Sequence, residues 1–376
     1  MKRSFQQLLV SFFFVAASNM LLANAEEPKT LEIGAAAPDF NLAGVDGKNY
    51  TLASFKDSKI LVIIFTCNHC PTSQAYEERM KQLVVDYRDK GVAIVAISPN
   101  SDVGLSLSEM GYTDVGDSFE DMQFRAKDKN FNFPYLYDGE SQEISRKYGP
   151  VATPHVFIFN KERKLAYQGR IDDVEKPTKK PNTHDTRNAI EELLKGSEVS
   201  VKTTKVFGCS TKWKDKNEWV KKNDEDWAKQ PVNLEMIDEA GIRDLLKNNS
   251  DKLRLINIWA TWCGPCVSEF PEFIKMKRMY NARDFEFISI SADEPSKKTK
   301  VHEFLKTKQA ANPNYLFSGD NKYKLIEAVD PKWQGALPYT IVVEPGGKII
   351  YAKQSTIDPL QMRKLIVEHP LIGRVY

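Results

Sequence analysis

Two C-x-x-C pairs, Cys67-Asn-His-Cys70 and Cys263-Gly-Pro-Cys266, stand one in each half of this chain of 376 residues. Each follows an apolar run of strand character and precedes an amphipathic helical pattern. That repeated context restricts the fold, because a strand must deliver the first cysteine and a helix must start at or just after it. A cysteine at a helix N-terminus meets unpaired N–H groups and the positive end of the dipole, which favour thiolate over thiol. The second cysteine then lies close enough to attack a mixed disulfide formed by the first and release the partner. Each site thus has an attacker and a resolver, and the pattern points to thiol–disulfide chemistry. The length exceeds one ordinary domain, so one pair per half gives two domains as the natural division.

From Lys59 to Phe65 the run K-I-L-V-I-I-F is too continuous to alternate, which predicts a strand buried on both faces that carries the chain to Cys67. After Pro71, residues Tyr76, Met80, Leu83, Val84 and Tyr87 mark one face of a helix ending at Lys90-Gly91. Strands over 92–98, 156–160 and 164–168 and a helix over 185–195 complete the unit. The second half repeats the order with a strand over 253–259, a helix from about 266 to 280, a strand over 286–291 and a helix from about 296 to 306. A strand over 339–344, the turn Pro345-Gly346-Gly347, a strand over 348–352 and a helix near 359–368 follow. The expected class is α/β: two tandem domains of one fold, each a mixed central sheet flanked by helices. Residues 212–230 are dense in charge and carry Trp213, Trp219 and Trp227 with little regular apolar periodicity. They read as a connector whose tryptophans either anchor it to one domain or mark a binding surface.

The N-terminus has Met1-Lys2-Arg3, an apolar stretch from about Leu8 to Leu22, then Ala23-Asn24-Ala25 before Glu26 and Glu27. This is the charge, core and A-x-A order of an export signal cleaved after Ala25. The stretch is shorter than the ~18 residues of a membrane span and is interrupted by Ser11, Ser18 and Asn19. The division expected is therefore 1–25 signal, 26–200 first domain, 201–231 connector and 232–376 second domain, in a protein periplasmic or secreted. Lys plus Arg number 53 against 51 acidic residues, which leaves no single-sign field to draw in nucleic acid.

In the second half, Asn257-Ile-Trp-Ala-Thr-Trp-Cys-Gly-Pro-Cys266 with Glu269-Phe-Pro271 resembles the extracytoplasmic thioredoxin-like proteins of the TlpA/ResA kind, over most of 232–376. The resemblance implies that Cys263 is the nucleophile, Cys266 the resolver and Pro338 a cis-proline against the disulfide. A cis X–Pro bond would turn the chain and leave the backbone of Leu337 free to pair with an extended substrate. Cytoplasmic thioredoxins carry a buried Asp six residues before the nucleophile as proton acceptor, and here that position is Asn257, which leaves Glu269 as the candidate. The first half resembles the redoxin or AhpC/TSA-like branch of the thioredoxin fold, over about 32–196. The residues carrying this are Ala37-Pro-Asp-Phe40, Asp46-Gly47, Phe65-Thr-Cys-Asn-His-Cys-Pro71, Thr153-Pro154 and Gly169-Arg-Ile-Asp-Asp173. It implies attack by Cys67, resolution by Cys70 and a cis-proline at Pro154. Peroxiredoxins place Thr three residues before the peroxidatic cysteine, and three before Cys67 stands Ile64.

Other chemistry fits these residues less well. Structural zinc sites bring their cysteine pairs close in sequence, whereas these lie in separate halves. A purely structural C-x-x-C disulfide would close too small a loop to remove much chain entropy. His69 sits where strongly oxidising members of the fold also hold histidine, and as imidazolium would stabilise the Cys67 thiolate. His155 either packs or faces the Cys67 site. Cys209, the odd cysteine, is either a buried small apolar group or a resolving or relaying thiol between the domains. The reading is a thiol–disulfide oxidoreductase that needs no dissociable cofactor and binds no metal. Its rivals are a thiol peroxidase in the first domain and a copper-handling protein using soft thiolates with His69 or His155. Partners expected are thiol or disulfide proteins of the cell envelope, with the membrane one place for an electron donor, and the oligomeric state is left open.

Overall fold

The computed structural model describes residues 28–176, 179–319 and 321–374, and the expected export segment lies outside them. The first unit runs β1 (Asn41–Gly44), β2 (Asn49–Thr51), β3 (Ile60–Phe65), α1 (Pro71–Tyr87), β4 (Val92–Ser98), α2 (Phe119–Asp128), β5 (Tyr135–Tyr137), α3 (Glu143–Tyr148), β6 (Ala152–Thr153), β7 (His155–Phe159), β8 (Leu165–Gly169) and α4 (Asp185–Leu194). Then come β9 (Cys209–Ser210) and α5 (Glu218–Ala228). The second unit runs β10 (Glu235–Ile237), α6 (Glu239–Lys247), β11 (Leu253–Trp259), α7 (Gly264–Met279), β12 (Phe285–Ser291), α8 (Lys298–Thr307), β13 (Asn314–Phe317), α9 (Lys322–Val329), β14 (Tyr339–Val343), β15 (Ile349–Gln354) and α10 (Pro359–Glu368).

Two mixed sheets result, ordered β2-β1-β5-β4-β3-β7-β8 and β10-β13-β12-β11-β14-β15. In each, the strand before a C-x-x-C motif is central, with a parallel neighbour on one side and an antiparallel one on the other: β3 between β4 and β7, β11 between β12 and β14. The continuous apolar run of β3 has its reason here, since all six residues are buried. Ile60, Val62 and Ile64 meet Tyr76, Met80 and Leu83 of α1, while Leu61, Ile63 and Phe65 meet Tyr148, Phe157 and Phe159 on the other face. Truncating one such branched side chain to Ala costs about 2–5 kcal/mol. The tandem repetition of one α/β fold is therefore observed. The units differ at one edge: β1 is antiparallel to β5, whereas β10 is parallel to β13.

The segment between the units divides its contacts. Residues up to Trp213 lie along the first unit: Gln168 N–H donates to Lys202 O at 3.0 Å, and Thr204 Oγ1 bonds the Tyr167 hydroxyl at 2.7 Å. Trp213 is buried with the Arg146 guanidinium 5.0 Å from its ring. α5 is helical despite its charge density because Trp227 is buried against the second unit, its indole N–H donating to Gln309 O at 3.0 Å. Trp219, by contrast, is exposed. The loop between β4 and α2 ties the units together directly. Leu105 and Met110 join the second unit's hydrophobic core, the Tyr280 hydroxyl donates to Thr113 O at 2.9 Å, and Arg363 Nε donates to Asp114 O at 2.8 Å.

Candidate active sites

The second site is built at the end of a buried strand and the start of a helix. Trp259 ends the buried strand, and Thr261 is fixed by its N–H and hydroxyl on the Asp293 carboxylate at 2.8 and 2.7 Å. Cys263 is then the N-cap of α7, accepting the N–H of Cys266 at 3.3 Å, and the two are joined by a disulfide. The Leu337–Pro338 bond is cis. Trp262, beside the nucleophile position, is 61% exposed, while Cys263 is 6% exposed and Cys266 fully buried. Asn257 donates its amide to Thr340 Oγ1 at 3.0 Å, leaving its buried Oδ1 without a partner. Glu269 accepts the N–H of Ile357 at 2.9 Å, and its other oxygen is buried and unpaired. Burial pushes the Glu269 carboxyl up to about 7 against the opposing hydrogen bonds of Ile357 and Asn257. A carboxyl poised there can exchange a proton at neutral pH, the task that Asn257 cannot perform.

The first site departs from expectation. Cys70, not Cys67, is the N-cap of its helix, because Pro71 takes the first helical position. The N–H groups of Asn68 and His69 turn instead to Asp117 Oδ1, at 2.8 and 3.0 Å, which takes them out of the helical ladder. Cys67 is therefore no exposed cap; it is 3% exposed and Cys70 is 0% exposed. Three residues before the capping cysteine thus stands Cys67 rather than Ile64. Burial drives the Cys67 thiol well up, helped by its hydrogen bond with Cys70 and by the charge of Asp117. Burial also opposes a Cys70 thiolate, yet hydrogen bonds from Cys209 and Cys67, the charge of His69 and the N–H of Ser73 hold it well below the usual thiol range.

His69 is the cation expected, but it serves Cys70. Its Nδ1 lies 2.6 Å from Asp117 Oδ2 in a fully buried pair. Burial pulls its basicity down, and the charge and hydrogen bond of Asp117 overcome this, so the imidazolium is favoured. His155 packs: its ring lies 4.5 Å from that of Phe157, Nε2 is 2.8 Å from Gln168 Oε1, and Nδ1 accepts the Val151 N–H. The Thr153–Pro154 bond is cis, and Thr153 Oγ1 lies 3.0 Å from Cys67 Sγ. Asp117 and Thr153 escaped the sequence reading as site residues. Asp117 sits in a loop with no spacing relation to the cysteines, while Thr153 was visible only as a neighbour of Pro154.

Cys67, His69 and Asp117 offer ligand atoms within 4.8 Å of one another. Asp117 does not suit a cation, however, since Oδ1 accepts two backbone N–H groups and Oδ2 bonds His69 and the Asn100 amide at 2.7 Å. All its lone pairs are spent orienting the histidine and the loop. Within this set Cys67 is held as the thiol, and the charge of His69 favours the thiolate on Cys70 instead.

The two sheets and their strand-delivered cysteines define a tandem protein of thioredoxin-like fold. Residues 33–168 match the AhpC/TSA family and residues 235–364 match Redoxin, so the chain carries two redoxin/AhpC-TSA domains in succession. The chain is 28% identical over 125 residues to the thiol-disulfide oxidoreductase ResA of Bacillus subtilis, covering 33% of this chain and 65% of the relative. Among solved structures it is similar to a hypothetical protein from Sinorhizobium meliloti, at 33% identity over 49% of this chain and 96% of the other, with a TM-score of 0.44. An uncharacterized conserved protein from Geobacillus kaustophilus aligns at 36% identity over 48% of this chain and 92% of the other, with a TM-score of 0.42.

Proposed function

We propose that the chain is an exported thiol–disulfide oxidoreductase that exchanges two electrons at a time with protein or small-molecule disulfides through Cys67/Cys70 and Cys263/Cys266. The observation that carries this is Cys263, capping α7 in a disulfide with Cys266 beside the exposed Trp262. In this reading Cys263 attacks an incoming disulfide once its own pair is reduced, Cys266 releases the product, and Glu269 takes the Cys266 proton. The dipole and free N–H groups of α7 favour the Cys263 thiolate as attacker. An extended partner strand would lie against Leu337, with which no strand pairs among the described residues. In the first unit the capping position gives the nucleophile's role to Cys70 and the thiol's role to Cys67. No dissociable cofactor enters either step, and envelope thiol proteins with a membrane electron donor fit the export pattern at 1–25. No helix among the described residues is long and apolar enough to cross a membrane.

The test is insulin reduction by the full chain with dithiothreitol as reductant. Cys263→Ser should lower the rate at least tenfold, and Cys266→Ser should trap partners as mixed disulfides. A Cys263→Ser protein as active as wild type would refute the assignment. Mass spectrometry of protein from the native envelope should find Glu26 first; recovery of intact Met1 would refute cleavage.

A second reading has one observation in its favour: the Cys70 site is sealed, which suits a small oxidant. Its thiolate would attack a peroxide oxygen, the O–O bond would break to give a sulfenic acid and an alcohol or water, and Cys67 would condense with it, releasing water and leaving the disulfide. Peroxide consumption by the Cys263→Ser variant that disappears in Cys70→Ser would favour this reading.

A further inference from the structure

We infer that Cys209 is a third redox residue of the first unit: it takes the disulfide over from Cys67 by bonding to Cys70, and so carries an oxidising equivalent from the sealed pair to the surface. This rests on the proposed disulfide chemistry of Cys67 and Cys70.

The placement of β9 carries the inference. In the second unit the backbone before the active-site proline has no strand partner among the described residues. In the first unit the equivalent residue, Thr153, pairs antiparallel with Cys209, and Ala152 pairs with Ser210. The chain's own strand thus lies where an extended substrate would add to the site. Its cysteine lies against the reacting atom: the Cys209 N–H donates to Cys70 Sγ at 3.3 Å.

The strand is held on both sides of Cys209. Gly208 has φ +133°, and a Cβ there would stand 2.0 Å from Thr153 O, so only glycine permits this approach. Beyond Cys209, the Thr211 hydroxyl donates to Pro150 O at 2.8 Å and Lys212 N–H donates to Asn100 Oδ1 at 2.9 Å. Exposure supplies the purpose. Cys67 and Cys70 are buried, while Cys209 is partly exposed. Of the three, Cys209 is the most exposed and so the first that a folded partner's thiolate would meet.

The exchange balances without an added oxidant. Starting from the Cys67–Cys70 disulfide, the Cys209 sulfur attacks Cys70 Sγ and its proton passes to the departing Cys67 sulfur. The Cys70–Cys209 bond forms, the Cys67–Cys70 bond breaks, and Cys67 leaves with the electron pair and takes up a proton. One thiol of a partner dithiol then attacks Cys209, expelling Cys70 as the thiolate that its helix cap and His69 stabilise. The partner's second thiol attacks the mixed disulfide and frees Cys209. The partner ends as a disulfide, and the unit ends with three thiols and two more electrons.

The test is disulfide mapping on the full-length protein equilibrated in glutathione buffers of increasing oxidation, quenched with acid, alkylated and digested without reduction. Wild type should yield a Cys70–Cys209 linked peptide, and Cys67→Ser should raise its share several-fold. Gly208→Ala, which keeps every cysteine, should lose this peptide while retaining the Cys67–Cys70 disulfide. In a Cys263→Ser/Cys266→Ser background, oxidation of a reduced unfolded protein should slow at least tenfold on Cys209→Ala. A Cys67–Cys70 disulfide with no Cys209-linked peptide in any buffer would overturn the inference and leave the chemistry of the pair standing. Absence of any disulfide among the three would overturn both.

Discussion

Replacing Glu269 with Gln keeps the side chain's volume and its capacity to accept the Ile357 N–H while removing the charge. The carboxyl's ordinary value is 4.5, and burial raises it to about 7 in the folded protein. Ionising it in place is therefore costly. At about 1.4 kcal/mol for each pH unit, the interval from 4.5 to about 7 amounts to about 3 kcal/mol. The sign follows from linkage: the folded state holds its proton more tightly than the unfolded state, so this contribution is fully present below pH 4.5 and is lost as pH rises to about 7. Urea unfolding of the full chain at pH 4.5 and pH 8 should show wild type losing about 3 kcal/mol more than Glu269→Gln over that interval. The variant should match or exceed wild-type stability at pH 8. Its disulfide exchange at the second site should be slower and should lose the inflection near pH 7 that wild type shows. Parallel stability curves for the two proteins would refute the argument, because they would mean that Glu269 ionises alike in the folded and unfolded chain.

Burial lowers His155 to about 4 from 6.5, so the folded protein should lose about 3 kcal/mol as pH falls through that range, and urea midpoints of His155→Gln should show a shallower acid limb; equal slopes would refute it. Asp117→Asn removes the charge that keeps His69 protonated, so the Cys67/Cys70 potential in full-length protein should fall by ~30 mV or more in glutathione-buffered titration, about tenfold in the equilibrium. An unchanged potential would remove His69 as the cause. In the same titration the wild-type Cys67/Cys70 pair should have a higher potential than Cys263/Cys266, since a stabilised Cys70 thiolate favours the dithiol. Equal or reversed potentials would refute that order.

The elements read from sequence were those whose signal is a long apolar run or a clear period: β3, β4, β11 and β12 lie within a residue of their expected limits, and α10 matches. Most of those missed are short or depend on partners elsewhere, although the helices α2 and α6, of ten and nine residues, were missed as well. β1, β5 and β10 have three or four residues each and gain their strand character from pairing, and α5 has one buried anchor in a charged run. At the second site the capping cysteine was legible because Gly264-Pro265 leaves Cys263 as the residue before the helix. At the first the same motif misled. Pro71 moves the helix start by three residues, and Asp117 claims the intervening N–H groups, a contact between residues 48 apart that no local pattern announces. The pairing of Cys209 with Thr153 is likewise long-range, across 56 residues.

The two units therefore divide by what lies on the residue before each active-site proline. An oxidoreductase that admits protein partners must leave that backbone free, since main-chain pairing holds the incoming strand and side-chain pockets select it. The second unit does so among the described residues, and Trp262, the neighbour of Cys263 in sequence, is exposed. The first covers the position with its own strand, so a protein disulfide could reach Cys70 only by displacing β9. That displacement would break the hydrogen bonds at Thr211 and Lys212 and uncover Phe207, whose ring lies 6.3 Å from that of Tyr76. Net hydrogen bonds of about 1 kcal/mol each, with the reburial of an aromatic ring lost, make opening cost several kcal/mol. Cys209 belongs to β9 itself, its N–H already on Cys70 Sγ, and avoids that cost. Electron flow between the surface and the first pair is thus favoured through Cys209, and the charged cap beneath Cys70 sets the direction by making it the better leaving group.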